Sequence, residues 1–140
     1  MIIVDTNVLS ELMRPVPHPA VLRWSRRIAT TLPATTAVSE AELRFGVLRL
    51  PPGRRRDALQ AVLEQLLTGL LAGRVFPFDC QAAAEYAAFA ARRQAAGRPA
   101  PTADGMIAGI ARAHGATAIA TRNLRDFEDC GVPLVDPWGA

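Results

Sequence analysis

The chain begins with Met1-Ile2-Ile3-Val4-Asp5-Thr6-Asn7, and this stretch decides its fold class. Its first part, Ile2-Ile3-Val4, is an unbroken apolar run of β-branched residues, which is typical of a strand buried on both faces. A helical pattern of apolar residues starts directly behind it, at Thr6-Asn7, and ends before Pro15. A buried strand that passes at once into a helix predicts an α/β domain with a parallel sheet.

The same alternation of strand and helix patterns continues to the end of the chain. Further strands are predicted over residues 32–38, 75–78, 117–120 and 133–135, and helices over residues 19–28, 39–50, 59–71, 80–96, 103–114 and 124–129. We expect Ser39 to cap its helix, with Glu42 three residues on as in a capping box, and Thr102 to cap a later helix. The pattern predicts a three-layer α/β/α fold with a mostly parallel central sheet, in a single domain spanning residues 1–140.

The composition excludes several other classes of protein. A chain of 140 residues, half of them hydrophobic and 21% charged, is long enough for one folded domain. It has no apolar run near the roughly 20 residues that a membrane span needs, no signal-peptide pattern at its start, and too few cysteines for a disulfide framework. We therefore expect a cytoplasmic protein. Its net charge of +3, with arginine as its only strong base, is compatible with a nucleic-acid partner without requiring one.

Three acidic residues fall where a parallel sheet binds its ligands, at the carboxyl ends of the strands. Asp5 ends the first strand, Glu42 lies one turn into the helix behind the second, and Asp104 lies in the first turn of an otherwise apolar helix. Each also has a purely structural interpretation. Asp5 could cap the next helix, Glu42 could complete the capping box, and Asp104 could interact with its helix dipole. Asp79 is expected only to cap a helix.

Further polar groups reach the same edge where the fourth strand ends, at Thr121-Arg122-Asn123 and at Asp126. Carboxylates gathered there would repel, by about 4 kcal/mol for a pair 4 Å apart at an effective dielectric near 20. A hard divalent cation offsets such repulsion, and ligands that are all oxygen suit Mg²⁺ or Mn²⁺. Because Mg²⁺ pairs naturally with phosphates, an acidic crevice on a basic protein indicates phosphodiester chemistry.

The motifs together resemble those of a PIN-domain ribonuclease, and more closely a VapC-type toxin of a bacterial toxin–antitoxin pair. The matching segments are Ile3-Val4-Asp5-Thr6-Asn7, Ser39-Glu40-Ala41-Glu42 with Gly46, Pro101-Thr102-Ala103-Asp104 with Ile107-Ala108, Thr121-Arg122-Asn123 with Asp126-Phe127, and Pro137-Trp138. No one of them is specific alone, but their order and spacing span nearly the whole chain.

The resemblance implies a Mg²⁺-dependent endoribonuclease, with Mn²⁺ as a substitute, that hydrolyses RNA phosphodiester bonds by metal-activated water. It also implies the toxin of a type II pair, a homodimer, and a VapB-like antitoxin that neutralises it. Carried onto this chain, Asp5 and Asp104 would be the main metal ligands, and Glu42 would be a third acid that holds metal-bound water or the metal directly. Thr6 and Asn7 would orient Asp5 or the substrate phosphate.

The remaining expectations concern the end of the fourth strand. Asn123 completes the predicted catalytic set, although the wider family often has an aspartate there, and Thr121, Arg122 and Arg125 are predicted to bind substrate. Asp126 is expected to structure its loop; the alternative is that it turns inward and adds an acid to the site. Because an amide brings no charge, the alternative function is a non-cleaving PIN-like module that binds RNA or an antitoxin. The arginines could equally hold an antitoxin carboxylate.

A stripe of apolar residues from Leu59 to Leu71 has regular helical spacing. It is interpreted as core or as a dimer interface. The alternative is an antitoxin groove, which takes an amphipathic partner helix and whose other wall would come from the helices between Leu9 and Trp24. Aromatic residues are 6% of the chain and do not interleave with arginines, so the sequence does not predict a base-stacking platform.

Overall fold

The computed structural model describes residues 1–139, and Ala140, the last residue of the predicted domain, lies outside the described residues. The strands are β1 (Ile2–Val4), β2 (Thr35–Thr36), β3 (Val75–Phe76), β4 (Ala118–Ala120) and β5 (Leu134–Val135). The helices are α1 (Thr6–Leu12), α2 (Pro19–Ile28), α3 (Ala37–Leu48), α4 (Arg54–Thr68), α5 (Cys80–Ala95), α6 (Thr102–Ala113) and α7 (Leu124–Phe127). Strands and helices alternate broadly as predicted.

The strands lie in the order β3-β2-β1-β4-β5, and every pairing among them is parallel. The β2–β3 pair joins the other three strands through a parallel bridge between Ile3 and Ala34. There the Val4 amide donates to the Ala34 carbonyl at 2.8 Å, and the Ala34 amide donates to the Ile2 carbonyl at 2.9 Å. Strands β2 and β3 therefore lie on one side of β1, and β4 and β5 lie on the other. This reversal of strand order leaves a crevice at the carboxyl ends of β1 and β4.

Alternating side chains of the sheet enter two separate cores. Val4 packs with apolar residues of α1 to α4, including Trp24 and Leu63. Ile3 packs on the opposite face with residues of α5 and α6, including Phe89 and Ile107. Because both faces of the sheet are covered by helices, the predicted three-layer α/β/α fold is confirmed. No helix within residues 1–139 is long and apolar enough to cross a membrane.

Glycines on α6 allow it to lie close against α5. A Cβ atom on Gly109 would meet the Ala82 carbonyl oxygen at 2.6 Å, and one on Gly105 would meet the Tyr86 ring at 2.9 Å. The contact at Gly109 is with the main chain of α5, so this position requires glycine at this helix separation, whereas at Gly105 the Tyr86 ring would have to move. The close packing sets the direction of α6, whose first turn carries Asp104 to the carboxyl edge of the sheet.

The capping box predicted at Ser39 and Glu42 is wrong. Helix α3 begins at Ala37, and its N-cap is Thr36, whose hydroxyl accepts the Ser39 amide at 3.1 Å. Glu42 then lies too far along the helix to reach the cap. Thr102 is likewise the first residue of α6 rather than its cap, since the cap position is Pro101.

The predicted helix over residues 59–71 begins earlier and ends sooner, because α4 spans Arg54–Thr68. Its apolar stripe nonetheless continues beyond the helix: Leu63, Leu67 and the later Leu71 are all buried in the core on the α1–α4 face. The interpretation of the stripe as core therefore holds for these three leucines. The predicted strand over residues 32–38 is also shorter, since Val38 already belongs to α3.

Candidate active site

Acidic and polar side chains line a pocket of about 280 Å³ at the crevice between β1 and β4. Its lining residues are Asp5, Thr6, Asn7, Ser10, Glu42, Asp104 and Asn123. They come from the segment after β1, from α1, from the middle of α3, from the first turn of α6 and from the segment after β4. The structure thus brings together six residues that the sequence predicted for the site, and adds Ser10.

Asp5 is fixed by hydrogen bonds to both of its carboxylate oxygens. The Thr6 amide donates to Oδ1 at 2.7 Å, and the Thr121 hydroxyl donates to Oδ2 at 2.7 Å. The residue is 2% exposed. Burial raises the pKa of Asp5 above 3.8, the hydrogen bonds oppose the rise, and the charges of Glu42 and Asp126 add to it. Asp5 is the N-cap of α1, which confirms its capping role, and it also lines the pocket, where its role as a site acid stays a prediction.

Glu42 is exposed and receives a hydrogen bond from a row of hydroxyl groups. Thr6 Oγ1 lies 2.7 Å from Glu42 Oε1 and 2.9 Å from Ser39 Oγ, which in turn lies 3.3 Å from Thr36 Oγ1. A hydroxyl has one hydrogen and a carboxylate only accepts, so Thr6 donates to Glu42 and accepts from Ser39. The row orients one oxygen of Glu42 and leaves Oε2 for other partners.

Asp104 has the strongest electrostatic perturbation in the pocket. Burial, followed by the negative charges of Asp5, Asp126 and Glu42 and a hydrogen bond with the Asp126 side chain, raises the pKa of Asp104 to about 7. A carboxyl group beside other carboxylates is easier to protonate. The charges of Asp5, Glu42 and Asp126 therefore all act on Asp104.

The charge of Asp126 acts on these acids, whereas the sequence interpretation favoured a role in its loop and left an inward turn as the alternative. Its amide does bond locally, to the Asn123 carbonyl at 3.0 Å. Its carboxylate, however, acts on both Asp5 and Asp104. The sequence signal for a role of Asp126 in the site was its position in the first turn of α7, directly after the segment that carries the pocket residue Asn123.

The segment after β4 is attached to α1 by Asn7 and Thr121. The Asn7 amide group accepts from the Arg122 amide at 3.3 Å and donates to the Thr121 hydroxyl at 3.4 Å. That hydroxyl also accepts the Asn123 amide at 3.0 Å, while its own hydrogen goes to Asp5. Thr121 is fully buried, and its donor and acceptors all serve the protein. Asn123 is exposed in the pocket.

The two arginines predicted to bind substrate lie outside the pocket lining. Both Arg122 and Arg125 are exposed. The Arg122 guanidinium carbon lies 4.8 Å from the centroid of the Trp138 ring. Arg125 is in the short helix α7, beside Asp126. Arg122 is linked to the pocket more directly than Arg125, because its neighbour Thr121 donates to Asp5 and its own main-chain amide donates to Asn7.

Sequence reasoning missed Arg93, a buried arginine on α5 that is 3% exposed. Its guanidinium donates to main-chain carbonyls on two loops, at 2.6 Å to Arg98, 3.0 Å to Asp126 and 3.2 Å to Glu128. Arg93 therefore holds the main chain that carries Asp126. In the sequence it is one of sixteen arginines, and nothing local distinguishes it.

The pocket offers only oxygen ligands, which is the donor set of Mg²⁺ and Mn²⁺. Within residues 1–139, no group of three or more His, Cys, Asp or Glu side chains could hold a metal ion by itself. Mg²⁺ in proteins is commonly held by one or two carboxylates, with water and substrate phosphate completing its shell. Asp5 and Asp104, whose pKa values are both raised, fit a cation of that kind.

A second, larger groove of about 860 Å³ adjoins the pocket and shares Thr6, Ser10 and Glu42 with it. Its apolar walls come from α1, α3 and α4, namely Leu12, Met13, Leu43, Val47, Leu59 and Val62, and Arg14 and Arg55 also line it. The sequence predicted walls from the leucine stripe and from both helices between Leu9 and Trp24. Of the two helices between Leu9 and Trp24, only α1 and the residues just after it line the groove, and no residue of α2 does.

Comparison with known proteins identifies the family. A family model described as PIN domain matches residues 2–132. The chain belongs to the PIN-domain family. This PIN domain is 43% identical over 139 residues to the VapC ribonuclease Y4jK of Sinorhizobium fredii, covering 99% of this chain and 98% of that protein. It is 38% identical over 138 residues to Toxin FitB of Neisseria gonorrhoeae, with 99% of each chain covered.

Solved structures agree with this assignment. The crystal structure of FitAcB from Neisseria gonorrhoeae matches the PIN domain with a TM-score of 0.90 and 37% identity, over 100% of each chain. DNA-bound VapBC from Salmonella typhimurium matches with a TM-score of 0.81 and 26% identity, over 97% of each chain. The predicted resemblance to PIN-domain ribonucleases and VapC-type toxins is confirmed.

Proposed function

We propose that this PIN domain is a Mg²⁺-dependent endoribonuclease of the cytoplasm, acting as a homodimer and as the toxin of a type II toxin–antitoxin pair. The observation that carries the proposal is that Asp5, Glu42 and Asp104 line one pocket at the carboxyl edge of the sheet. The relatives named VapC ribonuclease and Toxin FitB, which match nearly the whole chain, support the same activity.

In this proposal Asp5 and Asp104 hold the metal, and Thr6 and Thr121 keep the Asp5 oxygens in place. Mg²⁺, or Mn²⁺ in its place, would offset the repulsion of the acids and stabilise charge on the phosphate oxygens. Glu42, oriented through Oε1, would accept at Oε2 a proton of the water that attacks the phosphorus, while the bond from phosphorus to the leaving ribose oxygen breaks and that oxygen takes a proton from solvent. Asn123 offers its amide to the substrate, while Asn7 and Thr121 act by positioning other groups.

Asp126 supplies the acidic charge that Asn123 lacks. The non-cleaving alternative rested on the amide of Asn123, since a site short of one acid would hold a metal poorly. With the Asp126 carboxylate acting on Asp5 and Asp104, the number of acids no longer favours that alternative. Cleavage is therefore the function we test.

The test compares wild type with Asp5→Asn on a panel of transfer, ribosomal and messenger RNAs, with and without Mg²⁺. We expect wild type to cut at least one RNA only when Mg²⁺ or Mn²⁺ is present, and Asp5→Asn to lose more than about 100-fold in rate, since several kcal/mol of charge stabilisation disappear. Asp57→Asn, an exposed acid in the first turn of α4, is the matched control. Equal cleavage by wild type and Asp5→Asn would remove Asp5 from the mechanism, and no cleavage by any of the three proteins would leave only the binding module.

The apolar groove is the place where we propose that a VapB-like antitoxin docks. It is long, lined by apolar side chains with two arginines, and continuous with the acidic pocket, so a helix lying in it could reach the acids. Similar chains have been solved as FitAB and VapBC complexes. One segment could thus fill the groove and obstruct the pocket together.

Gly46 gives this docking proposal a direct test. It lines the groove, and a Cβ atom added to it would meet nothing within 4 Å. We expect Gly46→Leu to fold and cleave RNA normally but to bind the antitoxin, encoded by the neighbouring gene, at least about 10-fold more weakly, because its side chain occupies the groove. Isothermal titration calorimetry measures the affinity.

Gly46→Ala is the matched control for this experiment. It should raise the free energy of unfolding by about 0.5–1 kcal/mol, since alanine favours a helix interior over glycine, and change antitoxin affinity little. An antitoxin that silences Gly46→Leu as tightly as wild type would place its docking site elsewhere.

A further inference from the structure

An arginine and a tryptophan that are distant in sequence meet beside the acidic pocket. Strand β5 runs parallel to β4, and the Thr121 amide donates to the Val135 carbonyl at 2.9 Å. The chain then turns at Asp136, whose carboxylate accepts the Trp138 amide at 2.9 Å. Both segments leave the same edge of the sheet, so Trp138 comes to lie against Arg122.

Arg122 is held at both ends. Its amide donates to Asn7 Oδ1 at 3.3 Å, and its guanidinium lies over the Trp138 ring, 4.8 Å from the centroid. The ring itself is half-buried against the core of the α1–α4 face. A cation over an aromatic face is attracted to it, and a planar guanidinium keeps its geometry when stacked. The position of this charge is therefore set by the fold.

The Arg122 donors are nevertheless free. Among the described residues, its guanidinium forms no ion pair and no hydrogen bond, whereas Arg44 and Arg98 pair with carboxylates, and Arg74 and Arg93 bind main-chain carbonyls. A stacked guanidinium still presents its N–H edge to solvent. An ordered cation with unused donors, one residue from a side chain that binds Asp5, is suited to receive an anion.

We propose that Arg122 and Trp138 form a subsite for the RNA backbone, in which Trp138 is a positioning residue that aims the Arg122 guanidinium at a phosphate next to the cleaved bond. The subsite rests on the proposed function. It answers an electrostatic need, because four acids repel the polyanion that must enter the pocket, and a fixed cation at the rim offsets that repulsion. Preordering Arg122 also lowers the entropy lost on binding.

The position of the pair favours RNA over the antitoxin as its partner. Neither Arg122 nor Trp138 lines the apolar groove, whose lining comes from α1, α3, α4 and the residues after α1. A phosphate at Arg122 and a helix in the groove would therefore occupy different surfaces. Binding of antitoxin that depends on Arg122 while binding of RNA does not would overturn the assignment.

The test measures RNA binding and cleavage with the full chain. Binding uses single-stranded 12-nucleotide RNAs and protein that carries Asp104→Asn, which we expect not to cut them. Cleavage uses protein with Asp104 intact. For Arg122→Ala we expect about 10-fold weaker binding, a slope of log K against log salt that is smaller by about 0.7, and a higher KM with kcat within about twofold. Arg122→Lys should recover part of the affinity, since it restores the charge without the planar stack.

Trp138→Phe tests the positioning role while it keeps an aromatic ring in the core. We expect a rise in KM of about threefold, no further loss when Arg122→Ala is added, and melting within a few degrees of wild type. Trp24, the other tryptophan, is 3% exposed in the core, so Trp138 should report RNA binding by a fluorescence change that Trp138→Phe lacks. A merely structural tryptophan would not show this change.

Phe45→Ala is the matched control, because Arg49 lies over the Phe45 ring in a similar pair on α3, 5.6 Å from its centroid. It should leave KM and the salt slope unchanged. If wild type cleaves RNA but Arg122→Ala keeps the wild-type KM and slope, the subsite is overturned and the ribonuclease assignment stands. If wild type neither binds nor cleaves any RNA, both fail.

Discussion

Asp104→Asn is expected to abolish RNA cleavage and, at neutral and alkaline pH, to stabilise the metal-free protein. The loss of activity, more than about 100-fold, follows from the removal of a proposed metal ligand. The gain in stability follows from the same crowding that makes the site suitable for a cation. In the folded protein, burial and the negative charges of Asp5, Asp126 and Glu42 all disfavour the ionised form of Asp104. An asparagine carries no charge and avoids this cost.

The sign of the pH dependence follows from the direction of the pKa shift. The pKa of Asp104 is about 7 when folded, against 3.8 as the ordinary value. Between these pH values the folded state binds more protons than the unfolded state, so its stability falls as the pH rises. The advantage of Asp104→Asn over wild type is therefore absent below about pH 4, grows up to about pH 7, and stays constant above it.

The size of the effect is limited by the exposure of the side chain. The full shift would correspond to about 4 kcal/mol, but Asp104 is only half-buried and solvent screens its charge, so we expect about 1–2 kcal/mol, or roughly 3–6 °C in Tm at low salt. Thermal unfolding at pH 4, 6 and 8 in EDTA measures it. Mg²⁺ should raise the Tm of wild type and leave that of Asp104→Asn nearly unchanged.

Asp57→Asn again serves as the control, because its exposed side chain should give neither a gain in stability nor a loss of cleavage. An Asp104→Asn protein that is less stable than wild type at pH 8 would show that Asp104 is a structural partner rather than a crowded ligand. A protein that keeps its cleavage rate would remove Asp104 from the mechanism.

The sheet and most of the acidic site were predictable because their signals are local. Ile2-Ile3-Val4 is apolar at every position since both of its faces are covered, and an acid at the end of such a strand lies at the ligand-binding edge. Glu42 was placed by the helix that follows the second strand, and Asp104 by being the lone acid in the first turn of an apolar helix. The predicted capping box is wrong because Thr36 and Ser39 can both cap a helix, and the sequence alone does not choose between them. In the structure Thr36 is the N-cap, and Ser39 lies inside the helix.

The parts that escaped prediction depend on contacts between distant segments. Trp138 and Arg122 are joined by the pairing of β4 with β5, which places the last turn of the chain beside the fourth strand end. The inward turn of the Asp126 carboxylate depends on α7, whose main chain is fixed from α5. Periodicity and capping rules describe residues that are close along the chain. They therefore predict neither the contact of Arg122 with Trp138 nor the attachment of α7 to α5.

Arg93→Met is expected to destabilise the protein by about 3 kcal/mol and to impair cleavage even where the protein remains folded. The variant keeps an apolar stem of similar length but removes the guanidinium, which lies 5.6 Å from the centroid of the Phe89 ring and donates to the Arg98, Asp126 and Glu128 carbonyls. A carbonyl left without a partner costs about 1–3 kcal/mol, and water can replace part of the loss because these loops are partly exposed. Arg93→Lys should recover little, since one ammonium cannot span two loops.

Arg98→Ala is the matched control, since Arg98 joins the same loop by ion pairs to Glu128 and Asp129. The side chains are 48% exposed for Arg98, 49% for Glu128 and 67% for Asp129. Exposed pairs of this kind contribute less than about 1 kcal/mol. Hydrogen exchange of residues 123–130 in metal-free protein should accelerate in Arg93→Met and change little in Arg98→Ala. Unchanged exchange in Arg93→Met would mean that packing, rather than Arg93, holds this loop.

The link from Arg93 to catalysis requires Asp126 as its intermediate. If the arginine acts by fixing the main chain that carries this acid, Asp126→Asn and Arg93→Met should each lower kcat, and the double variant should be no slower than the slower single variant. Additive losses, measured well below the melting temperature of each protein, would instead show that Arg93 affects the site by a route independent of Asp126. The buried arginine would then be a general support of the fold, and the inward turn of the Asp126 carboxylate would need another cause.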